Sequence, residues 1–191
     1  AQEVLRILTW PGYADKDLTS VFEARYDVAV EVTYVGTDDE LREKLAAVDS
    51  PYDVIAANTA EILQLTKQQL LQPLRLNKLP NRSRQLTQFR QLQDIPGLVT
   101  DGKTYGIPYT FSEMGLIYNR KLLSTPPDSL SSLWDPHLQG QVLAYDGSSH
   151  NFSLARLALG KPPFAIPSAE LAESIDKLVA LRRNVLTFYS L

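Results

Sequence analysis

The first sixty residues alternate between short apolar runs and polar segments with helical spacing. Apolar runs begin near Val4, Ala29 and Asp53, and separations of about 25 residues leave room for a crossover helix between successive strands. Such strand-helix-strand units favour a parallel sheet with right-handed crossovers. The pattern therefore predicts that the chain opens as an α/β domain.

The clearest helix signal follows the second apolar run. Thr37 and Glu40 stand three residues apart, which is the spacing of a capping box at a helix N-terminus. The next apolar positions recur at intervals of four and three: Leu41, Leu45 and Val48. This spacing predicts one helix whose apolar stripe, including Val48, faces the sheet.

Later segments carry turn and strand signals. Asp101 and Gly102 lie between strand-like flanks and predict a β-hairpin. The segment 106–109 contains a proline and is expected to be extended. Beyond it the strand and helix pattern resumes, with strands predicted at 115–119, 142–145 and 185–189. A second α/β lobe is therefore predicted, and we place the lobes at 1–108 and 109–191.

Composition narrows the classes of partner. A formal net charge of -3 and a pI near 5.4 leave no basic surplus for a phosphate backbone, so nucleic acid is not expected as a partner. The chain has no cysteine, which excludes disulfides and thiolate chemistry. No run reaches the roughly 18 apolar residues of a membrane-spanning helix. Since the chain starts at Ala1 and enters a strand-like run at once, we expect either an exported chain after removal of its signal peptide or a trimmed piece of a longer chain.

Four phrases, in this order, carry a family resemblance: residues 8–13 (LTWPGY), 52–57 (YDVIAA), 106–109 (GIPY) and 132–136 (SLWDP). Together the chain resembles the spermidine/putrescine-binding family of bacterial solute-binding proteins, which have the type II periplasmic binding fold. The resemblance implies two α/β lobes joined by extended crossing strands, with a small molecule held in the cleft between them. It also implies a periplasmic or otherwise extracytoplasmic location.

Members of that family are markedly longer, and in them the path returns from the second lobe to the first. The resemblance therefore implies that the second lobe is incomplete here and that the chain is the N-terminal part of a longer protein. The family's cleft faces the carboxyl ends of strands, in agreement with the general rule that open α/β sheets bind ligands there. Binding residues are accordingly sought at those strand ends.

Trp10 and Tyr13 follow the first strand and match the family's aromatic positions in that loop. Their rings can sandwich an alkyl chain and attract an ammonium group. Covering the sheet edge is the alternative role. Asn58 and Thr59 follow the third strand, where short polar side chains and free backbone N–H groups suit a polar ligand group. Helix capping explains these two equally well.

Phe111, Ser112 and Glu113 follow the extended segment and are expected to face the cleft. Glu113 is a candidate carboxylate for a cationic ligand, although a solvated surface glutamate is the commoner outcome. The loop that contains Asp146, Ser148 and Ser149 supplies the remaining candidates.

In polyamine binders two acidic residues grip the amine at this loop. Aligning Asp146 with the first of them leaves Gly147 and His150 at the positions that matter most. This departure reduces the fit to a polyamine. Ser148 and Ser149 at a helix start suit a carboxylate. A basic amino acid such as arginine therefore fits both features, with its positive charge at Asp146 and its carboxylate at the serines.

No phosphate loop, nucleophile elbow or zinc-helix motif is present in the sequence. Neither the two histidines nor their acidic neighbours have the spacing of a metal site. The sequence therefore predicts no cofactor, no metal and no catalytic residue. The resemblance implies a binding protein that captures a small cationic or zwitterionic amine and delivers it to an ABC-type permease. The alternative is the ligand-sensing domain of a membrane-bound signalling protein, with its own transmembrane signalling region as partner. A third reading, an enzyme on the same fold, rests on Glu113 as the only candidate base.

Overall fold

A computed structural model describes residues 2–164 and 166–189 of the chain. The chain divides into two compact units, Ala1–Tyr109 and Thr110–Leu191. Each has its own sheet and helices. For the whole protein, the domain limits 1–108 and 109–191 stay a prediction.

The first unit is built on a three-stranded parallel sheet. Its strands are β1 (Glu3–Thr9), β2 (Val28–Tyr34) and β3 (Val54–Ile55), in the order β2-β1-β3. Helix α1 (Lys16–Tyr26) connects β1 to β2, and α2 (Asp38–Ala46) connects β2 to β3. Parallel strands need such crossovers, because the end of one strand and the start of the next lie at opposite edges of the sheet. The α/β prediction is confirmed.

The main apolar cluster of this unit lies between β1, α2 and α3 (Thr59–Lys67). Leu8, Leu41 and Leu65, one from each element, are completely buried. The prediction for Val48 was wrong, because α2 ends at Ala46 and the Val48 side chain is 92% exposed. Only the first two positions of the predicted stripe therefore contribute to the core.

The N-terminus of α2 has the capping predicted from its sequence. The Thr37 hydroxyl accepts a hydrogen bond from the Glu40 backbone N–H at 3.2 Å. The Glu40 carboxylate accepts one from the backbone N–H of Gly36 at 2.9 Å, one residue before the position of an ideal capping box. The two bonds fix the start of α2 at the end of β2.

The predicted hairpin is also present, as β4 (Val99–Thr100) and β5 (Lys103–Thr104) paired antiparallel. Asp101 and Gly102 both have positive φ, 49° and 69°. That combination defines a type I′ turn, whose twist matches the flanking strands.

In the second unit, β6 (Val142–Tyr145) pairs in parallel with β7 (Val185–Tyr189). Two helices, α4 (Ser148–Ala158) and α5 (Leu171–Leu181), connect them. Arg156 on α4 is buried and forms an ion pair with Glu170 directly before α5. This pair links the two helices.

The strand predicted at 115–119 is absent. These residues pair with no strand in the described part of the chain, and the Ile117 side chain is fully exposed. An apolar run forms a strand only where a neighbouring strand accepts its backbone hydrogen bonds. None of the helices within 2–164 and 166–189 has both the length and the apolar character needed to cross a membrane.

Candidate functional site

The loop after β1 is a tight turn formed by residues 10–13, which we call the aromatic turn. The Tyr13 N–H donates a hydrogen bond to the Trp10 carbonyl at 3.2 Å. Pro11 takes the second position and Gly12, with a φ of 83°, takes the third. Proline followed by a residue with positive φ is typical of a type II turn. The sequence therefore brings the Cα atoms of Trp10 and Tyr13 close together at the carboxyl edge of the sheet.

The Trp10 ring lies half-buried at this edge. Its indole N–H donates a hydrogen bond to the carbonyl of Ala56, directly after β3, at 3.1 Å. The ring packs against the main apolar cluster that contains Leu8 and Leu65. The indole therefore joins the ends of two neighbouring strands in one orientation, and its remaining surface is open to solvent.

The Tyr13 ring contacts a different set of apolar side chains. It lies 5.3 Å from the ring of Tyr109 and is 37% exposed. Together with Leu5, Ile7 and Phe22 it lines a groove of about 300 Å³ beside α1. Since Trp10 packs against the main cluster and Tyr13 lines this groove, the two rings have separate packing partners.

Asn58 is committed to helix capping. Its side-chain oxygen accepts the Glu61 N–H at 3.0 Å, at the start of α3. Its amide nitrogen donates to the Asp38 carboxylate at 3.1 Å. Asp38 is 5% exposed. The two bonds fix the orientation of the Asn58 amide, and half-buried Thr59 is the first residue of the helix.

A second polar contact joins α2 to α3 beside Asn58. The Arg42 guanidinium pairs with the buried Glu61 carboxylate at 2.6 Å and with Asp39. Burial works to lower the pKa of Arg42, but hydrogen bonds and charge from Glu61 and Asp39 raise it above its ordinary value. The guanidinium therefore stays charged. Asp38, Asp39 and Glu61 carry three formal negative charges against the one of Arg42, so this network is net negative.

The candidates of the second unit are mostly exposed. Phe111, Ser112 and Glu113 lie in the irregular segment after Tyr109, and all three are exposed. Asp146 follows β6, its side chain is exposed, and its backbone N–H donates to the Tyr189 carbonyl at 2.8 Å.

Ser148 and Ser149 begin α4, as predicted from the sequence. The Ser148 side chain lies outside the described residues. Ser149 is half-buried, and its carbonyl accepts a hydrogen bond from the Ser153 hydroxyl at 3.0 Å.

Packing explains why Gly147 stands beside Asp146. A β-carbon at this position would lie 2.5 Å from the Tyr145 ring, closer than real contacts allow. The same ring packs edge-on against His150 at 5.0 Å. An acidic side chain therefore cannot occupy position 147 unless the Tyr145 ring moves.

The two histidines lie in different settings. His137 is exposed, and its ring lies 2.8 Å from the Asp135 carboxylate. The backbone N–H of His137, and then its ring, lower the pKa of Asp135. Among the described residues, no three His, Cys, Asp or Glu side chains are grouped so that they could hold a metal ion.

The sequence pattern did not indicate several side chains that position the candidate residues of the first unit. Asp38, Arg42 and Glu61 have helix positions that look like ordinary capping and surface charge. The hydroxyls of Tyr34 and Tyr109 bond to the carbonyls of Ala14 and Tyr13. Nothing in the sequence pattern pairs these residues, because each contact spans 19 positions or more.

Comparison with known proteins now identifies the class. The family model of the bacterial extracellular solute-binding proteins matches residues 17–190. The chain therefore belongs to this family, whose proteins act outside the cytoplasm.

Two related proteins and one solved structure show this similarity in more detail. A spermidine/putrescine-binding periplasmic protein of Haemophilus influenzae is 24% identical over 100% of this chain and 52% of its own length. The norspermidine sensor of Vibrio cholerae is 21% identical over 96% of this chain and 49% of its own. A solved structure from Listeria monocytogenes, assigned to a spermidine/putrescine ABC transporter, has a TM-score of 0.79 and 25% identity, covering 98% of this chain and 57% of that one.

The predicted resemblance to spermidine/putrescine-binding proteins and the predicted type II fold are thus confirmed. The chain spans about half the length of the curated relatives it matches.

Proposed function

We propose that this protein binds a small cationic or zwitterionic amine, either a polyamine or a basic amino acid, without chemical change. The observation that carries the proposal is the carboxyl edge of the first sheet, where the Trp10 indole is bonded to Ala56, two residues before Asn58. Aromatic faces attract ammonium groups through the ring quadrupole. The site we assign comprises Trp10, Tyr13, Asn58, Thr59, Phe111, Ser112, Glu113, Asp146, Ser148 and Ser149.

Charge supports a cation over an anion at this edge. The Asn58 side chain bonds to the Asp38 carboxylate and to the Glu61 N–H, and Asp38, Asp39 and Glu61 outnumber Arg42 in formal charge. A buried charge acts through a lower dielectric than a solvated one, so its field is weakly screened. An ammonium group near Asn58 is therefore stabilised even without direct contact with a carboxylate.

The second unit favours a basic amino acid over a polyamine. Position 147 is a glycine packed beside the Tyr145 ring, so Asp146 has no acidic neighbour there. Ser148 and Ser149 begin α4, and the N-terminus of a helix suits a carboxylate. We expect arginine to use both features, whereas spermidine uses only the acidic ones.

Delivery to an ABC-type permease is the role we propose for the bound form. The Listeria structure supports it, because its name assigns it to an ABC transporter. The second candidate role is ligand sensing on behalf of a membrane-bound signalling protein, which the Vibrio cholerae norspermidine sensor favours. Both roles use the same ligand site.

A thermal-shift panel on the full-length protein tests the binding proposal. The panel contains putrescine, spermidine and arginine, with glutamate as the anionic comparison. A ligand at 100 times its Kd stabilises the folded state by about 2.7 kcal/mol. We expect a rise in Tm with at least one amine and none with glutamate. A shift with glutamate alone would contradict the proposal.

Trp10→Ala should abolish most of that shift. Trp134→Ala is the matched control, because the Trp134 indole is anchored in the same way, by a 2.7 Å bond to the Lys177 carbonyl, but lies outside the proposed site. The control should lower the Tm of the free protein and keep the ligand-induced rise. An unchanged rise in Trp10→Ala would remove Trp10 from the site.

A further inference from the structure

Two tyrosine hydroxyls hold the aromatic turn from outside. The Tyr109 hydroxyl donates a hydrogen bond to the Tyr13 carbonyl at 3.0 Å. The Tyr34 hydroxyl donates one to the next carbonyl, that of Ala14, at 3.2 Å. Two successive backbone carbonyls are therefore bonded by side chains from the end of β2 and from the last residue of the first unit.

The position of these carbonyls explains why they need side-chain donors. Helix α1 begins at Lys16 with Asp15 as its N-cap, and the Asp15 carbonyl is the first one used inside the helix. The carbonyls of Tyr13 and Ala14 precede the cap, so the helix offers them no N–H group. Their donors must come from elsewhere in the fold or from water.

We infer that Tyr34 and Tyr109 are positioning residues for ligand binding: their hydroxyls hold the aromatic turn so that Trp10 and Tyr13 present their rings in one arrangement. The inference rests on the proposed function and adds residues to it. Neither tyrosine is placed in contact with ligand. Each acts through the backbone of the turn.

The exposure of the two tyrosine rings allows the effect of the hydroxyl to be measured apart from the packing of the ring. The rings of Tyr34 and Tyr109 are 43% and 66% exposed, so replacing either with phenylalanine keeps the ring and removes only the hydroxyl. Ring contact between Tyr109 and Tyr13, at 5.3 Å between centroids, is retained. The hydroxyl's contribution is therefore measurable by itself.

The test compares Tyr34→Phe and Tyr109→Phe with Tyr26→Phe in the full chain. Tyr26 on α1 is 55% exposed, between the values of Tyr34 and Tyr109, and its ring packs on Phe22. Its hydroxyl bonds to no residue in the described ranges. Titration calorimetry with putrescine and with arginine measures affinity. We expect about threefold to tenfold weaker binding in each of the first two variants, the range for loss of one hydrogen bond, and none in the control.

A double-mutant cycle supplies a readout that general weakening of the fold would leave unchanged. If Tyr109 acts by placing the Tyr13 ring, the effect of Tyr109→Phe on affinity should shrink in a Tyr13→Leu background. Amide hydrogen exchange adds a measurement that needs no ligand. The Tyr13 N–H should exchange faster in Tyr34→Phe and Tyr109→Phe than in the parent chain.

The outcomes distinguish this inference from the proposed function. Parent-like affinity in both variants, with the parent binding a probe, overturns the inference and leaves the proposed function standing. If the parent binds neither putrescine nor arginine, the proposed function fails. Exchange at Tyr13 then decides alone whether the hydroxyls hold the turn, and an unchanged rate overturns the inference.

Discussion

The indole N–H of Trp10 donates a hydrogen bond to the carbonyl of Ala56, 3.1 Å away. This bond connects the first residue after β1 with the first residue after β3, two residues before the cap of α3. Trp10→Phe keeps an aromatic ring but removes the donor and leaves the Ala56 carbonyl without it. We expect a loss of about 1 kcal/mol in the free energy of unfolding, measured by urea denaturation.

Gly12 permits the aromatic turn. Its φ of 83° is a conformation that a β-carbon disfavours, although no atom lies within 4 Å of where that carbon would be. Gly12→Ala should therefore lower the free energy of unfolding by about 1 to 2 kcal/mol through backbone strain alone. Gly115→Ala is the matched control, since Gly115 also has open space but no positive φ. Equal costs in the two variants would contradict the turn assignment.

Asn58→Asp tests the contact between Asn58 and Asp38. Asn and Asp are equally good N-caps in general, yet here the new carboxylate would face Asp38 across 3.1 Å. Loss of the hydrogen bond to a charged group should cost about 1.5 to 3 kcal/mol. Chemical denaturation at neutral pH measures this cost. The second substitution Asp38→Asn should recover most of it, and failure to recover would mean that the two side chains do not interact.

The link between α4 and α5 should make the stability of the second unit depend on pH. Hydrogen bonds from Arg156 and then Lys161 hold the pKa of Glu170 below its ordinary value of 4.5. A carboxyl group with a lower pKa in the folded state stabilises the fold above its unfolded pKa, and the effect is lost as pH falls through the folded value. Below pH 4.5 the Tm of the parent should therefore fall more steeply than that of Glu170→Gln. The control Glu43→Gln, an exposed position on α2, should follow the parent.

Parts of this fold were predictable because their causes are local. The capping box at Thr37 and the Asp101–Gly102 hairpin depend on neighbours in sequence, and both are present. The strand predicted at 115–119 needs a partner strand that no local pattern supplies. Val48 failed for a similar reason, since apolar spacing does not show where a helix ends.

The sequence predicts the sheet edge that carries the candidate residues of the first unit, but not their contacts. The carboxyl ends of the strands in a parallel α/β sheet lie at one edge. Trp10 and Asn58 were predicted as candidates because each follows such an end. Their partners come from distant positions: Ala56 for the indole, Asp38 for the amide and Tyr109 for the turn. A short sequence window contains none of these pairs.

We propose that the protein captures a positively charged amine. Equilibrium titration of the full-length protein with putrescine, spermidine and arginine, alongside 1,4-butanediol, tests it most directly. The diol has the carbon chain of putrescine without its charges. We expect saturable binding of at least one amine, weakened by Trp10→Ala, and no binding of the diol. Equal affinity for putrescine and the diol, or no binding of any amine, would contradict the account.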